Sequence, residues 1–466
     1  MTSRTFDRSR AHQRRAHHLI PGGAHTYAKG DDQMPEAMPV VIARGQGCRV
    51  WDVDGNEYVE YGMGLRAVTL GHAEPRVLAA AAEWLGRGAN FSRPAEVELA
   101  AARAFLDAVP GQDMVKFTKD GSSATTAAVK LARAATGRET VAFCADHPFL
   151  SQDDWFIGST PLSAGVPEAT RALTRRFPYG DPGALRDALA DGAVACVVME
   201  AVRDASDPAA YLAEVQRICS DAGSLLVLDE MITGLRWHRG GAQTLYGLRP
   251  DLTTFGKALG NGFAVSALAG RRDLMELGGL RETGQDRVFL LSATHGAETH
   301  ALAAAVEVLR IYETEDVVGT MHARGAELRR GVAEVVARHG LGDAVGTAGR
   351  DCNLVFTTRD ADGAPSQPFR TLFLQEMTRR GVLGPSFVIS AAHDAAAIRQ
   401  TLDALDGALA VYAQALDAGS VDGLLEGRPV QPVFRRRAGT VWSGKPGGDG
   451  LGTVSAPSST PHTSTL

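Results

Sequence analysis

Three short, almost uninterrupted apolar runs constrain this chain most: AVACVVME (193–200), LLVLD (225–229) and LTTFGK (252–257). A strand that is apolar on both faces must be covered on both faces, which is the habit of parallel sheets. Between the first two runs lies YLAEVQRICSDAG (211–223), a helical pattern closed by Gly223. Alternation of this kind predicts βαβ units and an α/β core with a mostly parallel sheet.

Two of the runs end on chemistry. LLVLD closes on Asp229 and LTTFGK closes on Lys257. An acid at the end of one buried strand and an amine after the next suggest a pyridoxal phosphate site. The amine forms a Schiff base with the cofactor aldehyde, and the acid keeps the pyridine nitrogen protonated so that the ring serves as an electron sink. The chain has only six lysines against 42 arginines, and Lys257 sits in an apolar, glycine-rich run. A surface lysine is a poor account of it.

A third stretch, MVKFTKDGSSATTAAVKLARAATG (114–137), reads as a strand running into Asp120-Gly121-Ser122-Ser123 and then an alanine-rich helix. Backbone N–H groups and hydroxyls at a helix N-terminus suit a phosphate. A plain capped helix fits the same residues, and the pattern alone leaves both open.

At 466 residues the chain exceeds one ordinary core, so two or more domains are expected. With 44% hydrophobic and 22% charged residues it reads as a soluble globular protein. A net charge of −6 argues against a nucleic-acid partner. No apolar run is long enough for a membrane span, and the basic N-terminus lacks the apolar core of a signal peptide, so a cytoplasmic location is expected. The five cysteines lie far apart with no CxxC pair, which predicts reduced, buried thiols and no structural metal site.

Residues 1–20 read as a charged helix ended by the PGG at 21–23, and residues 38–62 as a β-hairpin or meander turning at Asp54-Gly55. Helices follow at 75–87 and 95–109. A Gly/Pro-rich loop is expected up to about 183, strands at 264–270 and 288–294, and an amphipathic helix at 298–313. Beyond about 320 the order becomes helix, short strands (NLVFTT and VLGPSFVIS) and a long helix to about 416. We expect an N-terminal segment (1–60) packing with a small α+β domain (321–437), a large domain (61–320) and a disordered tail (438–466) rich in Gly, Ser, Thr and Pro.

Over residues 18–437 the chain resembles the class III, fold-type I pyridoxal-phosphate aminotransferases, and within them the glutamate-1-semialdehyde 2,1-aminomutase branch. The resemblance is carried by PGGAHT, GCRVWDVDGNEYVEY, LGHAEPRV, KDGSSATTAAVKLARAATGR, LDEMITGLR, PDLTTFGKALGNGF and SATHGAET. It implies a large domain with a mostly parallel sheet and a smaller α+β C-terminal domain. It implies pyridoxal phosphate as cofactor, with pyridoxamine phosphate as its half-reaction form, bound by Lys257 and by Asp229 at the ring nitrogen. Met231 matches an apolar side chain packed on the ring, and Gly121 and Ser122 match the phosphate turn. Ser123 is expected at the same cofactor-binding turn, although it stands where many relatives have Glu. Thr294 matches a residue that reaches the phosphate of the neighbouring subunit, implying a homodimer with shared active sites.

The chain also departs from that family. Relatives carry Tyr-His-Gly before an Asp-Trp-aromatic run. Aligning on Asp154-Trp155-Phe156 puts Phe149 in the ring-stacking place, whereas anchoring on His147 would put Asp146 there, which cannot stack. Met199-Glu200-Ala201 replaces Met-Glu-Pro, so Glu200 and Arg203 are the candidates for the cofactor's phenolic oxygen. On the substrate side stand Met63-Gly64-Leu65-Arg66. Arg66, Arg93 and Arg236 are candidates to hold a carboxylate, a phosphate or a hydroxyl-rich group by forked hydrogen bonds, against a structural or surface role for each. These changes favour an aminotransferase moving an amino group from an amino-acid donor, glutamate being one candidate, to a polar keto or aldehyde metabolite. The rivals are an intramolecular 2,1-aminomutase and a racemase or decarboxylase on the same fold.

Overall fold

In a computed structural model, residues 4–147, 149–201, 208–281, 284 and 286–435 are described. The expected tail lies outside them, and so does Arg203. After an N-terminal helix, Asp7–Leu19, come three strands, β1 (Ile42–Gln46), β2 (Arg49–Asp52) and β3 (Glu57–Glu60), paired as an antiparallel meander. The second turn is built by Asp52, whose carboxylate accepts from the N–H groups of Asp54 and Asn56 and from the Tyr58 hydroxyl.

Seven strands form the central sheet: β4 (Met114–Thr118), β5 (Thr140–Cys144), β6 (Thr174–Phe177), β7 (Val194–Glu200), β8 (Leu225–Asp229), β9 (Leu252–Phe255) and β10 (Ser266–Gly270). Their order is β4-β10-β9-β8-β7-β5-β6. Strands β5 to β9 pair in parallel, while β10 runs antiparallel to both β9 and β4. Thus β10 alone is reversed, and the other six strands end at one edge of the sheet. Every residue of β5, β7, β9 and β10 is buried, as two-sided coverage requires. The helix Gly121–Thr136 packs on the sheet against β7, β8, β9 and β10.

Two expectations fail here. The loop expected up to about 183 contains β6, whose TRRF carries two arginines; at the sheet's edge such a strand can face solvent and its charges discourage further pairing. The apolar run 288–294 is no strand. The Val288 N–H bonds to the Leu277 carbonyl, Lys130 donates to the Phe289 carbonyl, and only Leu290 is buried. The run therefore crosses the surface as a strap with one apolar anchor.

The C-terminal part comprises the helix Val317–Arg338, the antiparallel pair β11 (Val345–Ala348) and β12 (Val355–Thr358), the helix Gln367–Arg379, β13 (Val382–Leu383) and the helix Ala395–Ala418. Strand β13 adds in parallel to β3, joining the N-terminal meander to this part of the chain. Arg4 ties the same two regions, donating to the carbonyls of Glu57 and Arg379. The five cysteines are buried and free. Among the described residues no helix is long and apolar enough to cross a membrane, and no His/Cys/Asp/Glu group could hold a metal ion.

Candidate active site

In open α/β sheets the carboxyl ends of the strands are where ligands sit, because loops and helix N-termini converge there. Here β4 delivers Asp120 and Gly121, β5 delivers His147 and Phe149, β7 ends on Glu200, β8 on Asp229, and β9 runs into Gly256 and Lys257. Among the described residues, one edge of one sheet therefore gathers the sequence candidates for the cofactor, Thr294 excepted.

Asp229 is almost wholly buried. Its Oδ1 accepts from the Met231 N–H at 2.9 Å and from the Thr254 hydroxyl at 3.2 Å; Thr254 is its register partner on β9. Its Oδ2 takes no hydrogen bond among the described residues. Burial raises the Asp229 pKa, while Lys257 and the Met231 N–H act to lower it. Lys257 shows the converse. Burial lowers its pKa, and Asp229 and Glu200 oppose that. A lysine so depressed is a better nucleophile and proton carrier than a surface lysine. Its backbone is strained, with φ at 42°, a region that side chains with a Cβ rarely adopt.

Met231 fills the space between these groups. A Cβ on Gly121 would lie 2.8 Å from its sulfur, and one on Gly256 would lie 2.7 Å away. The two glycines let the helix N-terminus and the Lys257 loop close on one thioether. Asp120 caps that helix, accepting from the Ser123 N–H at 2.8 Å and from the Ser123 hydroxyl at 2.9 Å. Both donors of Ser123 are thus committed to the cap, while the N–H groups of Gly121 and Ser122 have no partner among the described residues. The Ser122 hydroxyl accepts from the Gln152 N–H at 3.0 Å, and the Leu150 carbonyl accepts from Thr125 at 2.8 Å. These bonds hold the 149–152 segment against the first turn of the helix. Phe149 there is 47% exposed, with its ring edge-on to Phe156.

Glu200 is buried beside Asp229, and its N–H donates to His147 Nδ1 at 3.2 Å. Burial raises its pKa most, with the neighbouring Asp229 adding to the rise.

The substrate candidates separate. Arg66 ends a left-handed turn in which Met63, Gly64, Leu65 and Arg66 have φ of 43°, 60°, 58° and 73°. Three of these are not glycine, at a cost of roughly 1–2 kcal/mol each, and such strain collects at functional sites. The turn is held by the Glu60 carboxylate on the Met63 N–H. Asn261, which follows the Lys257 loop, accepts from the N–H groups of Thr69 and Leu70 and donates to the Gly71 carbonyl. Arg66 and Lys257 are thereby parts of one clamped structure.

Arg236 stands elsewhere. It is 0% exposed and donates to the carbonyls of Cys352 (3.0 Å), Ile389 (2.7 Å) and Arg66 (3.1 Å). It is a structural cation, and the expectation that it meets substrate is withdrawn. Arg93 is exposed and makes no hydrogen bond or ion pair among the described residues. Thr294 is also exposed; its carbonyl accepts from Asn90 at 2.9 Å.

Sequence reasoning missed Thr254, His147 and Asn261, and it missed Glu230, whose buried carboxylate accepts from Thr233 and from the N–H groups of Ala242 and Gln243. Thr254 could have been found by placing β9 in parallel register beside β8. Glu230 and Asn261 lie inside LDEMITGLR and PDLTTFGKALGNGF, but neither these motifs nor His147 reveal the partners that the fold brings to them.

The donor set fits pyridoxal phosphate. A buried carboxylate has one oxygen left for a ring N–H, a depressed lysine lies beside it, and two helix N–H groups are left for a phosphate. Fold and site together fit the α/β enzymes that use pyridoxal phosphate. The chain belongs to the class-III aminotransferase family, whose profile, described as Aminotransferase class-III, matches residues 27–383. It is 33% identical over 430 residues to a glutamate-1-semialdehyde 2,1-aminomutase of Thermus thermophilus, covering 86% of this chain and 98% of that one. It is 34% identical over 420 residues to the enzyme of that name from Roseiflexus castenholzii, covering 84% and 95%. Among solved structures, the FumI protein of Sphingopyxis sp. MTA144 in its PLP internal aldimine form matches with a TM-score of 0.80 at 28% identity, covering 88% and 98%. An omega-transaminase from Sphaerobacter thermophilus matches at 0.78 and 25%, covering 87% and 98%.

Proposed function

We propose that the chain moves an amino group from an amino-acid donor, with glutamate the first candidate, to a polar keto or aldehyde acceptor, using pyridoxal phosphate held through Lys257. The observation that carries this reading is the meeting of Asp229 and Lys257 at the carboxyl edge of the sheet, with a buried carboxylate beside a depressed amine. When bound, pyridoxal phosphate supplies an aldehyde for the amino group and a ring that spreads the negative charge left at the substrate carbon.

The chain's own residues do the rest. Asp229 holds a proton at the ring nitrogen, and Thr254 and the Met231 N–H fix its carboxylate for that task. Lys257 Nζ would hold the cofactor aldehyde and, once free, is the amine placed to take or return a proton at the donor carbon. The N–H groups of Gly121 and Ser122 bind the phosphate, while Ser123 serves the helix cap. Met231 and Phe149 would hold the ring, and Glu200 would meet its phenolic oxygen.

We further propose a cytoplasmic homodimer in which Thr294 completes the neighbour's phosphate site. Support comes from apolar side chains left bare near that strap, Phe289 at 71%, Leu280 at 80% and Phe91 at 49% exposed, since such patches mark association surfaces. We keep the division into residues 1–60, 61–320 and 321–437; the pairing of β13 with β3 supports the grouping of the first segment with the last.

A second reading, an intramolecular 2,1-aminomutase, is favoured by the curated relatives of that name. The two separate on incubation with glutamate. Formation of 2-oxoglutarate supports intermolecular transfer, whereas no half-reaction with any amino acid rejects it.

A further inference from the structure

Arg66 is a cation without a matching anion. Its Nε donates to Asn353 Oδ1 at 2.9 Å and its Nη2 reaches the Ser386 hydroxyl at 3.5 Å. Both partners are neutral, and no carboxylate comes within ion-pair distance among the described residues. The neighbourhood is short of negative charge as well. Arg66 and Arg236 lie close enough to repel, and Lys257 adds a third cation; among the described residues the carboxyls that face them are Asp229 and Glu200, and burial and Asp229 push Glu200 towards its neutral form. A guanidinium in such a place costs free energy unless an anion reaches it.

The geometry also says which edge the anion would meet. Asn353 takes the Nε side, so Nη1, which makes no bond among the described residues, and the side of Nη2 next to it remain as a two-pronged donor. That pair matches the two oxygens of a carboxylate or phosphate. The backbone beneath is costly and deliberate. A left-handed turn of mostly non-glycine residues aims the side chain, the Arg236 guanidinium holds the Arg66 carbonyl, and Asn261 ties the following residues to the Lys257 loop. A surface charge would need none of this.

We infer that Arg66 is the specificity-determining residue of the site, gripping a carboxylate or phosphate on the substrate some distance from the reacting carbon, with Asn353 orienting its guanidinium. The inference deepens the proposed function by naming the substrate class, and it rests on Lys257 marking the reacting centre.

Ligand binding tests it apart from turnover. Succinate, glycerol 3-phosphate and neutral succinamide are titrated into the purified holoenzyme by calorimetry and by the change in cofactor absorbance. The same is done for Arg66→Gln, Arg66→Lys and Asn353→Ala, each checked by circular dichroism. The wild type is expected to prefer one anion over succinamide, with succinate marking a carboxylate substrate and glycerol 3-phosphate a phosphate. Arg66→Gln is expected to cut that preference about tenfold or more, Asn353→Ala less, and Arg66→Lys to keep part of it. No anion preference in the wild type overturns the inference, as does an undiminished preference in Arg66→Gln. If Arg66→Gln does not fold, an undiminished preference in Asn353→Ala overturns it. Should Lys257 prove not to carry the cofactor while the anion preference stands, the reaction assignment falls and the anion site remains.

Discussion

Glu200 and Asp229 stand directly opposite one another, paired in register at the carboxyl ends of two neighbouring parallel strands. Adjacent strands are about 4.8 Å apart, so two buried carboxyl groups on one face share a confined space and cannot both ionise freely. Burial raises both. Lys257 favours the charged form of each; the Met231 N–H and the Thr254 hydroxyl add to this at Asp229, whereas Glu200 is raised further by Asp229 itself. The extra hydrogen bonds to Asp229 and the like charge beside Glu200 assign the ionised form to Asp229 and the protonated form to Glu200.

That division predicts unequal responses to neutral isosteres. Asp229→Asn is expected to weaken pyridoxal phosphate binding about tenfold or more, the loss of one charge-assisted hydrogen bond. Glu200→Gln, which imitates the protonated acid, is expected to lose clearly less. Titration of each apoprotein with cofactor, followed by absorbance, measures both. Equal losses would contradict the assignment.

Gly121→Ala tests the closure on Met231. The new Cβ would fall 2.8 Å from the sulfur, which is also packed closely against Gly256, where a Cβ would lie 2.7 Å away. Overpacking of this kind costs roughly 1–3 kcal/mol. A lower melting temperature and weaker cofactor binding are expected, with part of both recovered when Met231→Ala is added. Simple additivity of the two changes would argue against direct contact.

Arg236→Met should destabilise the fold. Three carbonyls, those of Cys352 and Ile389 in buried bonds and that of Arg66 in a part-buried one, lose their donor. At about 1 kcal/mol or more for each unsatisfied group, roughly 3 kcal/mol is expected. Denaturant unfolding reads the change; an unaltered midpoint would show that the cation contributes nothing net.

His393 predicts an acid-sensitive step. Its Nδ1 accepts from the Ser390 N–H at 3.0 Å, its Nε2 donates to the Glu60 carbonyl at 3.1 Å, and its ring stacks on Tyr61. The neutral ring satisfies these bonds, and burial pushes its pKa down from 6.5 to about 4. Between those values the unfolded chain binds a proton that the folded chain does not. The stability due to the neutral ring is therefore fully present above pH 6.5 and is lost as pH falls towards 4, about 3 kcal/mol in all. His393→Gln should flatten the stability profile across that window; an unchanged slope would contradict the assignment.

Asp229 and Lys257 are legible in the sequence because each closes a buried apolar run, and such runs fix both the strand and its last residue. Strand β6 is not, since TRRF looks like loop until its place at the sheet edge is known. The 288–294 run misleads in the other direction, because apolar character cannot tell a strand from a surface strap lacking a ladder partner. Arg236 reads as a substrate ligand, and nothing local in GLRW reveals that two of its acceptors lie 116 and 153 residues away. The anchors of Arg66 are equally hidden, at separations of 287 and 320 residues.

Everything proposed for the site depends on Lys257 carrying the cofactor. Borohydride reduction of the holoenzyme, followed by proteolysis and mass spectrometry, would fix the linkage on whichever of the six lysines bears it. A phosphopyridoxyl mass is expected on the peptide containing Lys257 alone, and is expected to be absent from Lys257→Ala. Label on Lys29, Lys116, Lys119, Lys130 or Lys445 in its place, or no label on any lysine, would contradict it.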